Sequence, residues 1–192
     1  RGGAAPSKMQ EPSNDYEMAE AHREVVERLW TEPLLDETAD EIPLAESGTQ
    51  LVAEARCGRT ALELRERLDD SVRMIALDPK RAMLDEARER ADERGIDQIF
   101  FVPERVDSIS YADGVFDSSV CMNGLVTARQ LGEAIAELSR VTDEGGHVTV
   151  AAPLAGSFQA FYDLLEEALR ALDFEERIDR ISGLRETLIS PP

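Results

Sequence analysis

Lysine is rare in this chain and long apolar runs are absent. Lysine occurs only as Lys8 and Lys80, so nearly every cation is an arginine. No apolar run approaches the roughly 20 residues that cross a bilayer. The first seven residues lack the apolar centre of a secretion signal. The sequence therefore predicts no membrane insertion.

Basic residues are also few compared with acidic ones. The 192 residues include 40 acidic and 21 basic side chains, for a formal net charge of −19. Such a field repels the phosphates of nucleic acids and anionic lipid surfaces, so we expect neither as a partner. Two explanations of this composition compete, adaptation to a salty cytoplasm and a GC-rich genome.

Cysteine and histidine are limited to two residues each. Cys57 and Cys121 each fall in or beside a predicted strand, and His22 and His147 lie far apart in the sequence. None of these spacings is typical of a metal site, so none is predicted. The two cysteines are interpreted as small buried hydrophobic residues in a reducing compartment, which predicts a cytoplasmic protein.

The chain divides into three parts by composition. Residues 1–13 are predicted to be a disordered leader. Residues 14–47 are predicted to form a helix over 16–30, capped by Asn14 or Asp15. An acidic loop follows, which carries two prolines and has room for a short turn of helix. One face of that helix is expected to be apolar, with Met18, Ala21, Val25 and Leu29.

Residues 48–192 are predicted to form one α/β domain. Strands are expected at 50–55, 72–77, 98–102, 116–122 and 146–152, with a sixth at 174–181. Helices are expected at 60–68, 81–94, 129–141 and 158–172. This alternation predicts a doubly wound, mostly parallel sheet flanked by helices. The residues after the last helix leave room for one strand and part of a second, so the C-terminal strands are expected to be incomplete.

Four segments, taken in order, carry a family resemblance. They are 52–58 (VAEARCG), 75–78 (IALD), 111–123 (YADGVFDSSVCMN) and 138–146 (LSRVTDEGG). Over residues 48–155 the chain resembles the class I S-adenosylmethionine-dependent methyltransferases, in particular the small-molecule type related to quinone biosynthesis. The resemblance implies a Rossmann-like methyltransferase fold with S-adenosylmethionine as cofactor.

The resemblance also implies where the cofactor would lie. Asp78, at the end of a strand, would accept hydrogen bonds from the ribose hydroxyls. Alternatively, it caps the following helix, with Pro79 at the first helical position. No catalytic base is apparent in the sequence, so the catalytic residues are unknown. The family often needs no base, because methyl transfer can depend on positioning alone. The full set of expected cofactor-binding residues is Glu54, Ala55, Cys57, Gly58, Asp78, Pro79, Glu104, Arg105, Val106 and Asn123.

Two departures from the family pattern fall at this site. Arg56 stands at the first glycine position and Thr60 at the last, or else the loop is shorter and Arg59 already begins the helix. Side chains there cost energy if the backbone needs φ > 0, and they fill ligand space. Arg105 replaces the acid that binds the adenine amine, and a guanidinium cannot accept a hydrogen bond. Glu104 could substitute, or the two form a solvated surface pair.

Two functional hypotheses follow. The first is a methyltransferase fold with an eroded cofactor site, used as a non-catalytic binding or assembly module. The alternative is an active methyltransferase that acts on a small molecule. The partner would be a small molecule or a protein, with a homodimer through the sheet edge or the N-terminal helix as one form. The absence of a G-x-G-x-x-G motif argues against a dinucleotide reductase.

Overall fold

Five parallel strands form the centre of the protein in the computed structural model, which describes residues 14–122, 128–154, 156–157 and 159–186. The strands lie in the order β3-β2-β1-β4-β5, and every neighbouring pair is parallel. The predicted doubly wound sheet is confirmed. The strands are β1 Thr49–Ala53, β2 Arg73–Leu77, β3 Ile99–Val102, β4 Phe116–Cys121 and β5 Thr142–Val150.

Helices connect and flank these strands. None that the described ranges contain is both long and apolar enough to cross a membrane. The α-helices are α1 Asp15–Ala21, α2 Glu32–Thr38, α3 Arg59–Arg65, α4 Arg81–Arg94, α5 Ala128–Val141, α6 Gln159–Ala171 and α7 Ile178–Glu186. A π-helix spans His22–Thr31, and short 3₁₀ turns span Ala39–Glu41 and Glu175–Arg177.

Each face of the sheet contributes to its own apolar core. Alternate residues of a strand point to opposite faces, so Val52 faces one core while Leu51 and Ala53 face the other. Both faces are buried because the crossover helices cover them. The first core includes Leu35, Ala39, Ala61, Leu64, Met74, Ala76 and Val120. The second includes Leu77, Phe116, Cys121, Ala134, Leu138 and Val141.

The N-terminal helical segment runs further than predicted. Asn14 caps α1, its Oδ1 accepting from the backbone N–H groups of Tyr16 and Glu17 at 2.9 Å each. The first part of the predicted loop is instead helical, through α2 to Thr38 and a 3₁₀ turn over Ala39–Glu41, and the loop begins after that turn. Pro33 lies in the first turn of α2, where the register changes from π to α and a missing N–H is tolerated.

The buried face of this segment also differs from the predicted one. Val25 and Leu29 are 53% and 75% exposed, whereas Glu27 and Thr31 are buried. The prediction assumed the α-helical period, and the π-helix has a wider turn with i→i+5 hydrogen bonds. Residues that would share a face in an α-helix are therefore rotated apart.

The C-terminal segment is helical where a sixth strand was predicted. Residues 174–181 form a 3₁₀ turn and the start of α7. The apolar residues Phe174, Ile178 and Ile181 recur at intervals of four and three, which is the helical period and not the alternation of a strand. In the described part of the chain, β5 is therefore an outer strand of the sheet.

Gly58 is expected to be sensitive to substitution. It has φ +84°, and an added Cβ would lie 2.7 Å from Ala87 Cβ on α4. Gly58→Ala should lower the free energy of unfolding by about 3 kcal/mol, from left-handed strain plus overpacking. Urea unfolding at constant m-value measures the change.

Gly95 supplies the matched control. It has φ +64°, with nothing within 4 Å of a built Cβ, so Gly95→Ala should cost only about 1 kcal/mol of strain. Equal losses for the two variants would contradict the packing contribution at Ala87.

Candidate functional site

The loop between β1 and α3 has three left-handed residues at alternate positions. Glu54 has φ 53°, Arg56 has φ 52° and Gly58 has φ 84°. Left-handed backbone costs a residue that carries a Cβ about 1–2 kcal/mol. The loop therefore needs a glycine-like conformation at Arg56 and adopts it at that cost.

The start of α3 decides between the two alignments considered for this loop. The helix begins at Arg59, so Arg59 and Thr60 are helical residues and the loop is the shorter form. Thr60 is fully buried in the first turn of α3 and does not line the cleft described below. Arg56 is thus the side chain that departs from the family pattern inside the site.

Asp78 connects the loops that follow β1 and β2. It is fully buried. Its Oδ2 accepts from the Arg56 backbone N–H at 3.1 Å, and its Oδ1 accepts from the Lys80 N–H at 2.8 Å. Helix α4 begins at Arg81 with Lys80 as its N-cap residue, so Asp78 stabilises the turn that leads to the helix and does not itself cap it.

The Arg56 side chain lies between two acids. Its Nη2 is 2.8 Å from Glu54 Oε2, and its Nη1 is 3.6 Å from Asp78 Oδ2. Burial raises the pKa of Glu54, and the positive charge of Arg56 opposes that rise. The guanidinium therefore neutralises an acidic pair that would otherwise be buried without a counter-ion.

A small cleft opens beside these residues. Its volume is about 210 Å³, below the roughly 300–1,000 Å³ of typical ligand pockets. Arginine and acidic side chains both line it, so its charges are largely balanced. The lining residues are Glu54, Arg56, Pro79, Arg105, Val106, Asp107 and Gln130.

The loop after β3 satisfies its own charges. Arg105 forms a two-pronged ion pair with Asp107, its Nε lying 2.8 Å from Oδ1. This contact lowers the pKa of Asp107. The Glu104 carboxylate accepts from the backbone N–H of Ser110 at 3.0 Å and from its hydroxyl. Glu104 therefore turns toward its own loop, and Asp107 is the acid of this loop that lines the cleft.

The structure brings together part of the predicted site. Glu54, Pro79, Arg105 and Val106 line the cleft, and Asp78 lies beneath its loop. The other predicted residues do not line it: Ala55, Cys57, Gly58 and Glu104 lie elsewhere, and Asn123 lies outside the described residues.

Two lining residues were missed by sequence reasoning. Asp107 lies two residues beyond Arg105, and counting along the loop for the nearest acid on either side would have found it. Gln130, in the first turn of α5, is distant from every motif, so only the packing of α5 against the loop brings it to the cleft.

Comparison with known proteins agrees with the fold. The family model of the methyltransferase domain matches residues 53–146, which run from the end of β1 into β5. Over these residues the chain is similar to the methyltransferase domain family. No curated protein matches the chain significantly.

Solved structures share the fold at low sequence identity. A candidate S-adenosyl-L-methionine-dependent methyltransferase from Methanococcus maripaludis is 16% identical, with 96% of this chain and 87% of that one aligned and a TM-score of 0.57. A chain in the complex of the Haloferax volcanii Trm112 methyltransferase activator with a candidate methyltransferase is 18% identical, over 78% and 74%, with a TM-score of 0.60.

A third structure contains a cofactor product. Geranyl diphosphate C-methyltransferase from Streptomyces coelicolor A3(2), bound to S-adenosyl-L-homocysteine, is 17% identical over 83% of this chain and 52% of that one, with a TM-score of 0.58. The chain spans only 50%, 43% and 58% of the length of three other matching structures. The fold is shared, while these identities carry no assignment of substrate.

Arg56→Gln should destabilise the protein in a pH-dependent way. At pH 7 the loss of its charge leaves the half-buried Glu54 carboxylate without its cationic partner, at a cost of about 2 kcal/mol. The variant raises the folded pKa of Glu54 further above its ordinary value of 4.5. The destabilisation should therefore shrink as pH falls through that raised pKa and be smallest below 4.5.

The measurement is urea unfolding of both proteins across this pH range. Arg67→Gln is the control, because Arg67 pairs with the exposed Asp40 and with Glu63 at the surface and should change stability by under about 1 kcal/mol. A pH-independent loss in Arg56→Gln would show that its charge does not serve Glu54.

Proposed function

We propose that this methyltransferase-fold domain is a non-catalytic binding and assembly module in which Arg56 occupies the cofactor position. The observation that carries the proposal is the placement of the Arg56 guanidinium against both Glu54 and Asp78. These are the two acids through which, by family resemblance, the cofactor would be held. The chain supplies its own cation where a ligand would bind.

The energetics of displacement favour this reading. A ligand that bound Asp78 would compete with the guanidinium and with two backbone N–H groups already bound to that carboxylate. Moving Arg56 away would leave the half-buried Glu54 and the buried Asp78 without its positive charge, which costs more than the pairs themselves contribute. A cofactor would have to offset both costs before any net affinity appeared.

An active small-molecule methyltransferase is the second candidate. Asp78 and Glu54 are retained at the ends of their strands, and the Arg56 side chain is 20% exposed, so it has solvent on one side. A structure of the same fold binds S-adenosyl-L-homocysteine. S-adenosylmethionine thus remains the cofactor expected if the site opens.

Calorimetric titration with S-adenosylmethionine and S-adenosylhomocysteine separates the two. We expect the wild-type protein to show no binding at millimolar ligand. Arg56→Gly should bind both ligands, since glycine adopts the left-handed conformation without strain and removes the side chain from the cleft. Micromolar binding by the wild type would overturn the non-catalytic proposal.

Two variants make the test specific to the loop. Arg105→Gly removes the other arginine that lines the cleft, and it should leave the wild-type result unchanged. Asp78→Asn in the Arg56→Gly background should abolish the gained binding. If Arg56→Gly folds normally and still binds neither ligand, obstruction by Arg56 is not what prevents binding.

The open edge of β5 is the proposed assembly surface. Among the described residues β5 pairs only with β4. The Ala151 N–H bonds to Cys121 on β4, so by alternation the N–H groups of Val148 and Val150 point toward the open side. An outer strand with unpaired donors is a template for another strand. A second copy would pair there antiparallel about a two-fold axis.

Val150→Pro should convert a dimer to a monomer, measured by light scattering after size exclusion. Proline removes an outward N–H and is tolerated on strand edges. Val150→Ala keeps the donor and is the control, expected to remain a dimer. A wild type that is monomeric at every concentration would contradict assembly through this edge.

A further inference from the structure

The fold assembles a histidine, a glutamate and a cysteine that lie far apart in the sequence. The ligand atoms of His22, Glu27 and Cys57 are all within 4.8 Å of one another. His22 and Glu27 come from the π-helix, and Cys57 comes from the loop after β1. The cluster lies outside the cleft that Arg56 occupies.

The π-helix is what aligns the first two residues. They are five positions apart, and in an α-helix only residues three or four apart share a face. A π-helix closes its turn with i→i+5 hydrogen bonds, so residues 22 and 27 stack one turn apart. Ten residues of π-helix are exceptional, and π segments recur at functional sites.

The environment of the cluster suits a metal ligand set. Glu27 and Cys57 are buried. His22 is half-buried, and its Nδ1 has no solvent contact and no hydrogen-bond partner in the described structure. His22 Nδ1 is therefore a buried nitrogen that the described residues leave unused, beside a buried carboxylate and a buried sulfur.

We propose that His22 Nδ1, the Glu27 carboxylate and the Cys57 sulfur bind one Zn²⁺ ion, with the fourth position left open. Nitrogen, sulfur and oxygen donors together are typical of zinc. A thiolate and a carboxylate balance the charge of a divalent ion. Met83 Sδ lies 3.4 Å from Cys57 Sγ, and such a soft neighbour disfavours Mg²⁺ and Ca²⁺.

Metal binding would affect existing hydrogen bonds of Glu27 and Cys57. Arg90 Nη1 donates to both oxygens of Glu27, at 3.0 and 2.9 Å, and each carboxylate oxygen keeps a second lone pair for the ion. The Cys57 thiol donates to the Ala19 carbonyl at 3.4 Å, and metal binding replaces that weak bond. The ligand atoms must close by about 1 Å to reach zinc distances of about 2.0–2.3 Å.

Bound zinc would connect two elements of functional interest. It would tie the N-terminal helical segment to the loop that carries Arg56, since Cys57 is the next residue. The ion would therefore stabilise the docking of the segment that covers the loop, whether or not a cofactor binds nearby.

Equilibrium dialysis of the full chain against Zn²⁺ and absorption of its Co²⁺ form test the proposal. Dialysis is done in high salt with excess Mg²⁺, to suppress diffuse binding to the acidic surface. We expect one ion per chain and a thiolate-to-cobalt charge-transfer band. The melting temperature should rise with Zn²⁺ and return to its metal-free value after chelation.

The chain offers matched controls, because it has two cysteines and two histidines. Cys57→Ala and His22→Gln should each lower zinc affinity by more than the about 10–100-fold that outer-shell changes cost. Cys121→Ala and His147→Gln should bind as the wild type does. Circular dichroism checks that each variant folds. If Cys57→Ala does not fold, the zinc affinity of His22→Gln alone tests the proposal.

Three results would overturn the proposal. The first is no zinc binding by the wild type. The second is equal binding by all four variants, which would place the ion on the acidic surface. The third is cobalt binding without the thiolate band, which would exclude Cys57 as a ligand.

Discussion

The alternating left-handed backbone after β1 is the constraint on which the rest of the site depends. It lets the chain turn from the central strand into α3 within five residues, 54–58. The loop is then held on three sides. Leu77 O accepts from the Ala55 N–H at 2.8 Å, Asp78 accepts from Arg56, and Arg90 donates to the Cys57 carbonyl at 2.6 Å.

This tight turn sends neighbouring side chains in opposite directions. Arg56 points to the cleft and meets the acids, while Cys57 points back toward the N-terminal segment and α4. One loop thus contributes to two separate polar sites. The buried pair of Glu27 and Arg90 lies at the junction, because Arg90 bonds to the loop and to the π-helix at once.

The sheet and its flanking helices could be predicted from the sequence because their signals are local. Apolar runs such as 50–55 and 72–77, separated by segments of helical period, are enough to predict a mostly parallel sheet. The predicted bounds of α4 at 81–94 match the structure. The closeness of Asp78 to Glu54 could also be predicted, since the carboxyl ends of adjacent parallel strands meet at one edge.

The remaining features depend on information that no local window contains. The continuation of helix past residue 30 depends on packing of Leu35 and Ala39 into the core beside β1, which outweighs the proline signal. The C-terminal strand was wrongly predicted because the helical spacing of Phe174, Ile178 and Ile181 was overlooked in this short segment. Arg56 was recognised as a departure, but its pairing with both acids follows from a backbone conformation that arginine rarely adopts.

The π-helix gives the N-terminal segment an unusual sensitivity to chain length. An α-helix that gains one residue without losing its ends accommodates it as a wider turn. Removing one residue between His22 and Glu27 would return the segment to α-helical register and leave these two side chains on one face, four apart. Removing one after Glu27 would instead rotate Thr31 away from the core. Deletions before and after Glu27 would therefore have different consequences for the packing of this segment.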